Sequence, residues 1–213
     1  MLIIFDCDGV LVDSELIANR VLAALLSRHG YAATAAECRQ KFIGHTIPGV
    51  IKLVADDGVA LPEDFEAMLR EKDAEAFARE LRPVTGMQAT LERLQTIPKC
   101  VASSGSPEKI QSNLKTTDLL GYFDPYLFSA RDVKKPKPAP DIFLHSASRM
   151  GFAVEQCTVI EDTPFGIEGA KRAGMRAFGF IGASHRVPAD EKILLKAGAD
   201  RVFADMTQLP GLL

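Results

Sequence analysis

The feature of this chain that most constrains its fold is the repeated alternation of short apolar segments with longer amphipathic ones. Each apolar segment is nearly continuous, so it is expected to be a strand buried on both faces, and helical patterns lie between most of them. This order is typical of a parallel sheet covered by helices. We therefore expect an α/β fold with a doubly wound, Rossmann-like parallel sheet. The predicted strands cover residues 2–5, 99–103, 126–129, 158–160, 177–181 and 201–203.

One long stretch interrupts the alternation. No strand pattern occurs from residue 15 to about residue 81, where Gly30, Gly44, Gly58 and Pro62 separate helical patterns. These patterns cover residues 15–29, 35–43, 46–56 and 62–81. The sequence therefore predicts a small all-helical domain, residues 15–81, inserted after the first strand of an α/β core formed by residues 1–14 and 82–213.

Composition excludes several classes of partner. The net charge of −3 gives no basic excess for nucleic acid, and the apolar runs are too short to span a membrane. The four cysteines have no paired spacing, which favours buried free thiols in a reducing cytoplasm. We therefore expect a cytoplasmic protein with no nucleic-acid or membrane partner.

Chemically active side chains follow four of the predicted strands. Asp6 and Asp8 come after the first strand, residues 103–106 (Ser-Ser-Gly-Ser) end the second, Lys137 follows the third, and Glu161 with Asp162 follows the fourth. In open parallel sheets, ligands bind beyond the carboxyl ends of the strands. We therefore expect these groups to converge on one site.

The acids in this set suit a metal ion. Asp6 and Asp162, with Glu161 as a further candidate, offer the hard oxygen ligands that Mg²⁺ takes in proteins. A cation would also remove the repulsion between neighbouring carboxylates. The remaining groups suit a phosphate.

Ser104, the backbone N–H groups near Gly105 and the helix start at Pro107 would form a cradle for an anion, to which Lys137 adds a positive charge. Gly9 would leave room for the phosphate to approach. These groups match phosphoryl transfer, in which one carboxylate acts as nucleophile and a second acts as acid and base.

Four motifs carry a resemblance to a known family. Residues 5–15 (Phe-Asp-Cys-Asp-Gly-Val-Leu-Val-Asp-Ser-Glu) resemble the first motif of the haloacid dehalogenase superfamily, in its large phosphatase branch. Ser104 resembles the second-motif serine, Lys137 within residues 137–143 resembles the third-motif lysine, and residues 161–162 resemble the acidic fourth motif. Ser103 is the neighbouring candidate for the second motif; Ser104 is favoured because Gly-Ser-Pro follows it.

The resemblance implies a role for each matching residue. Asp6 would be the nucleophile, and Asp8 would be the acid/base and would give Mg²⁺ its backbone carbonyl. Asp162 would be a further Mg²⁺ ligand, and the helical insert would be the family's small cap domain. Specificity would then come from a cap loop that contains Gly44, His45 and Thr46.

The same resemblance narrows the activity to hydrolysis of a small phosphorylated metabolite. Asp8 is present, whereas the name-giving dehalogenases lack an acid there. β-Phosphoglucomutase is similar, but Ala18 and Ile47 stand where that enzyme has a histidine and an arginine. Residues 6–19 are similar to a subgroup that includes 6-phosphogluconate phosphatase, which favours a sugar or sugar-acid phosphate. A phosphomutase and a non-catalytic phosphate-binding regulator are the alternatives, although no motif is damaged.

Each motif also has a purely structural interpretation. Asp6 and Asp8 could form a turn, residues 103–106 could only cap a helix, and Glu161 with Asp162 could cap the next one. Lys137 could belong to a solvated basic loop, because Lys134 and Lys135 precede it.

Overall fold

The computed structural model describes residues 1–42 and 45–213, which form two compact units. One unit contains residues 1–13 and 82–213, and the other contains residues 14–81. The sequence-based boundaries, 1–14 with 82–213 and 15–81, differ from these by one residue.

The larger unit contains all six strands of one parallel sheet. The strands lie in the order β3-β2-β1-β4-β5-β6, so the order reverses between β1 and β4. The expected doubly wound α/β fold is therefore confirmed, and its switch point lies beside the first strand. The strands are β1 (Leu2–Phe5), β2 (Lys99–Ser103), β3 (Leu127–Ser129), β4 (Cys157–Glu161), β5 (Arg176–Phe180) and β6 (Arg201–Phe203).

The described part of the chain also contains ten α-helices. The helical unit contains α1 (Glu15–Arg28), α2 (Ala35–Phe42), α3 (Ile47–Asp56) and α4 (Phe65–Glu80). The sheet unit contains α5 (Met87–Arg93), α6 (Pro107–Thr116), α7 (Asp141–Met150), α8 (Pro164–Arg172), α9 (Asp190–Lys196) and α10 (Leu209–Leu212). None of these helices is long and apolar enough to cross a bilayer.

Register brings the ends of the central strands level with one another. Phe5 of β1 lies opposite Val101 of β2 on one side and Ile160 of β4 on the other. The residues that follow these positions therefore emerge side by side at one edge of the sheet. All four residues of β1 are buried, as the apolar pattern predicts.

The helical unit has an apolar core of its own. Leu26 of α1, Cys38 of α2, Val54 of α3 and Phe65 of α4 belong to one buried cluster. The fourth predicted helix begins at Phe65 rather than at Pro62, because residues 62–65 form a turn in which the Phe65 N–H donates to the carbonyl of Pro62.

Candidate active site

Three buried carboxylates meet at the carboxyl ends of β1 and β4. Asp6 directly follows β1, Glu161 is the last residue of β4, and Asp162 is the next residue. One carboxylate oxygen of each lies within 4.8 Å of the others. The sequence predicts this convergence, and the level strand ends explain it.

Lys137 binds two of these acids. Its Nζ lies 2.6 Å from Asp6 Oδ1, 2.7 Å from Glu161 Oε1 and 2.9 Å from the carbonyl oxygen of Ala102. Its side chain is only 6% exposed, so the solvated-loop interpretation of this lysine is wrong. Burial lowers the pKa of Lys137, but the charges of Asp6 and Glu161 outweigh it and raise that pKa. The lysine is therefore a fixed positive charge.

One lysine does not neutralise three acids. Burial raises the pKa of Asp6 well above its ordinary value, and the charges of Glu161 and Asp162 add to this against the opposing charge of Lys137. A further positive charge at this place would stabilise the ionised form of Asp6.

The two carboxylate oxygens of Asp162 differ in their hydrogen bonds. Its Oδ2 lies 2.7 Å from Arg186 Nη2, 3.2 Å from Arg186 Nε and 3.2 Å from His185 Nε2. Its Oδ1 is buried and accepts no hydrogen bond from any residue that the structure describes. Burial raises the pKa of Asp162, but the hydrogen bond from His185 and the charge of Arg186 outweigh burial and lower it.

These observations fit a hard divalent cation. A buried carboxylate oxygen without a donor is costly unless something else satisfies it, and three carboxylates from adjacent strand ends offer oxygen ligands of the right kind. The carboxylate of Asp8 is not one of the three, and the metal-binding role expected of its backbone carbonyl stays a prediction.

Asp8 instead contacts α6. Lys109 Nζ lies 2.9 Å from Asp8 Oδ2, and Asn113 Nδ2 lies 3.5 Å from Asp8 Oδ1. Neither partner is predicted from the sequence. Their spacing of four residues places them on one face of the helix, but no motif marks that face.

The two candidate serines differ in burial. Ser103 ends β2, is buried, and accepts the Gly105 N–H at its Oγ over 3.1 Å. Ser104 is exposed. Ser106, not either candidate, caps α6 by accepting the Lys109 N–H. Of the two, Ser103 has the geometry of a side chain held at the strand end.

Two glycines leave room for the acids, and the predicted role of Gly9 toward a phosphate stays a prediction. A Cβ on Gly9, whose φ is +78°, would lie 2.3 Å from Asp162 Oδ2. A Cβ on Gly166 of α8 would lie 1.8 Å from Glu161 Oε1. Glu161 is fixed in that position, because its Oε2 also accepts hydrogen bonds from the N–H and hydroxyl of Thr163.

The predicted specificity residues belong to the helical unit. Gly44 lies outside the described residues. Thr46 is the N-cap of α3, where its hydroxyl accepts the Gly49 N–H over 3.3 Å, and His45 precedes it. A substrate-binding role for these residues stays a prediction.

Comparisons with known proteins agree with this architecture. The family model for haloacid dehalogenase-like hydrolases matches residues 3–180. The 6-phosphogluconate phosphatase of Escherichia coli K12 is 32% identical over 99% of this chain and 93% of its own length.

Two solved structures are also similar. A conserved haloacid dehalogenase-like protein of unknown function from Agrobacterium tumefaciens is 38% identical, with a TM-score of 0.89 over 99% of this chain and 96% of that one. A family hydrolase from Deinococcus radiodurans, solved with phosphate and sodium, is 26% identical, with a TM-score of 0.84 over 99% and 93%. Together with the matched family model, these similarities establish that this chain belongs to the haloacid dehalogenase-like hydrolases.

Proposed function

We propose that this hydrolase is a Mg²⁺-dependent phosphatase that acts on a small phosphorylated metabolite, a sugar or sugar-acid phosphate, through an aspartyl-phosphate intermediate at Asp6. The observation that carries the proposal is the contact of Asp6 with Lys137 inside a cluster that also contains Glu161 and Asp162. A nucleophile for phosphoryl transfer needs nearby positive charge, because negative charge spreads over the phosphoryl oxygens in the transition state.

Asp6, Asp162 and the backbone carbonyl of Asp8 would hold the cation, with Glu161 close by. When bound, Mg²⁺ supplies charge that offsets both the crowded carboxylates and the phosphoryl oxygens. The protein's own contribution is to fix these ligands at level strand ends, with Lys137 between two of them.

The reaction would proceed in two balanced steps. A carboxylate oxygen of Asp6 forms a bond to phosphorus as the ester oxygen leaves, and Asp8 gives its proton to that leaving oxygen. Asp8 then takes a proton from water, the water oxygen attacks phosphorus, and the bond to Asp6 breaks. Free phosphate and the original Asp6 carboxylate result. Lys109 and Asn113 hold the Asp8 side chain for both transfers.

The phosphate would be bound by groups from β2 and the segment after it. The Ser103 hydroxyl accepts the Gly105 N–H, which leaves its own hydrogen available for a phosphate oxygen. We therefore assign this role to Ser103 in preference to Ser104. The Deinococcus relative, which was solved with bound phosphate and sodium, supports phosphate binding by this chain.

The substrate class is proposed from relatives and from the helical unit. The Escherichia coli relative is a 6-phosphogluconate phosphatase. By the family resemblance, residues 15–81 would form a cap, and Gly44, His45 and Thr46 would contact the substrate.

The test is the variant Asp6→Asn, assayed with p-nitrophenyl phosphate and Mg²⁺. The amide is a poor nucleophile, so turnover should fall at least about 10⁴-fold while the fold is retained. Asp118→Asn is the matched control: it removes the same charge at an exposed residue whose φ of 58° suits asparagine equally well. Removal of metal with EDTA should stop the wild-type reaction, and added Mg²⁺ should restore it.

Residual activity of Asp6→Asn above a tenth of the wild-type rate would refute the mechanism. A panel of sugar and sugar-acid phosphates, monitored for released phosphate, would then define the substrate. Interconversion of two sugar phosphates with little free phosphate would instead indicate a phosphomutase.

A further inference from the structure

Two adjacent residues outside all four motifs provide the side-chain donors that contact the Asp162 carboxylate among the residues that the structure describes. His185 and Arg186 lie between β5 and α9, and their side chains are 5% and 6% exposed. Their three contacts with Asp162 all fall on the same oxygen, Oδ2. Burial and convergence on one atom indicate a built arrangement rather than a surface ion pair.

Arg186 is held from its far side as well. Its Nη1 lies 3.7 Å from Asp190 Oδ2, and the same Asp190 oxygen accepts the Val187 N–H over 3.1 Å. Asp190 itself closes the turn, because its N–H donates to the carbonyl of Val187. The guanidinium therefore lies between two carboxylates and has little freedom to move.

We propose that Arg186 and His185 are positioning residues that hold Asp162 Oδ2, so that Oδ1 alone faces the cation. The proposal rests on the metal site of the proposed function. Its basis is the contrast between the two oxygens, since Oδ2 has three donor contacts and Oδ1 has no hydrogen bond from the described residues. Partners of this kind commonly fix the orientation of metal ligands.

Without Arg186, Asp162 Oδ2 would keep only its contact with His185. The Asp162 side chain is 2% exposed, so water would not replace the lost donors. A buried carboxylate without donors is costly, so the carboxylate would turn to share the remaining donor. Oδ1 would then leave the position in which it can bind a cation. Metal affinity should fall.

A simple counter-charge role predicts the opposite sign. If Arg186 only balanced the negative charge of the acids, its guanidinium would repel a divalent cation, and its removal would strengthen metal binding. Lysine in its place would keep that charge and leave metal binding nearly unchanged. The two roles therefore differ in a direct binding measurement, without reference to turnover.

The experiment titrates full-length Arg186→Lys and Arg186→Met with Mn²⁺ and follows the EPR signal of the free ion. Both variants should bind Mn²⁺ at least about tenfold more weakly than the wild type. Arg176→Lys is the matched control, because Arg176 begins β5 at the opposite end of the strand, and it should bind as the wild type does. Circular dichroism and thermal melting check that each variant is folded.

Tighter binding by Arg186→Met with unchanged binding by Arg186→Lys would overturn the positioning role and assign a counter-charge role instead. Unchanged binding by both variants would also overturn it, while the metal site of the proposed function would stand. If the wild type itself bound no Mn²⁺, the proposed metal site and this inference would both fail.

Discussion

Ser103 and Ser104 are neighbours in the chain, yet their side chains lie in different environments. Ser103 belongs to β2 and is buried beside the carbonyl of Ala102, which accepts from Lys137. Ser104 follows the strand and is exposed. The strand ends between these two residues, so a shift of one position separates a proposed phosphate ligand from a surface residue.

Ser103→Ala should therefore impair catalysis far more than Ser104→Ala. Loss of one hydroxyl donor to a transferring phosphoryl group should lower kcat/KM about 100-fold, whereas Ser104→Ala should remain within about twofold of the wild type. Steady-state kinetics with p-nitrophenyl phosphate measures both. The reverse order of effects would assign the phosphate to Ser104.

At the residue level, the sequence predicts the acids and the lysine because strand ends and motif spacing mark them. It does not predict the partners that hold them. Lys109, His185 and Arg186 lie in no motif, and their contacts depend on the position of α6 and of the segment after β5. Ligands in parallel sheets gather at the carboxyl ends of strands, and the segment after β5 begins at such an end. This rule alone indicates that His185 and Arg186 lie near the site.

At the level of elements, continuous apolar runs predict both ends of every strand to within one residue. The difference that affects a functional residue is at the end of β4. The predicted strand ends at Ile160, whereas the strand in the structure continues to Glu161. Glu161 pairs with Gly179 of β5 although it is charged. Its place in the buried ladder depends on Lys137 and Thr163, which a hydrophobicity pattern does not reveal.

The turn after β1 contains the two proposed catalytic carboxylates, Asp6 and Asp8. The N–H groups of Val10, Leu11 and Val12 all donate to the carbonyl of Cys7, and the Gly9 N–H donates to the carbonyl of Val12. This compact turn needs a left-handed residue at position 9, where φ is +78°. It also packs so close to Asp162 that no Cβ fits at that position.

We expect Gly9→Ala to damage activity and stability together. Left-handed backbone costs a residue with a Cβ about 1–2 kcal/mol, and here the new methyl must also displace Asp162. kcat/KM should fall about 100-fold or more, since a proposed metal ligand moves. Gly151→Ala is the matched control, because its φ of +75° imposes similar backbone strain in open space.

The control should therefore lose stability but keep its activity. Thermal melting and kinetics on both variants separate the two effects. Equal activity of Gly9→Ala and Gly151→Ala would mean that the position of Asp162 does not depend on Gly9.

On the scale of the whole molecule, each of the two units has a buried apolar cluster among its described residues. One cluster lies between the sheet and its helices and includes Cys100 and Cys157, and the other lies among α1–α4 and includes Cys38. The sequence predicts this division from the loss of strand patterns in residues 15–81. It also predicts buried thiols, and the structure has all four cysteines free and buried.

These thiols should report unfolding of the whole protein. Burial raises the pKa of Cys7, Cys38, Cys100 and Cys157, so access and thiolate content are both low in the folded state. Ellman's reagent should therefore label the native protein with less than about 0.1 equivalent within minutes. In guanidinium chloride it should label all four residues.

The variant Ser112→Cys provides the matched control, because residue 112 is exposed on α6. It should add one equivalent of rapid labelling in native buffer. Cys100 and Cys157 lie opposite Ile4 and Leu2 on the two sides of β1, within one core, so they should become reactive at the same denaturant concentration. Rapid labelling of any native cysteine before the denaturant transition would contradict the burial on which this prediction depends.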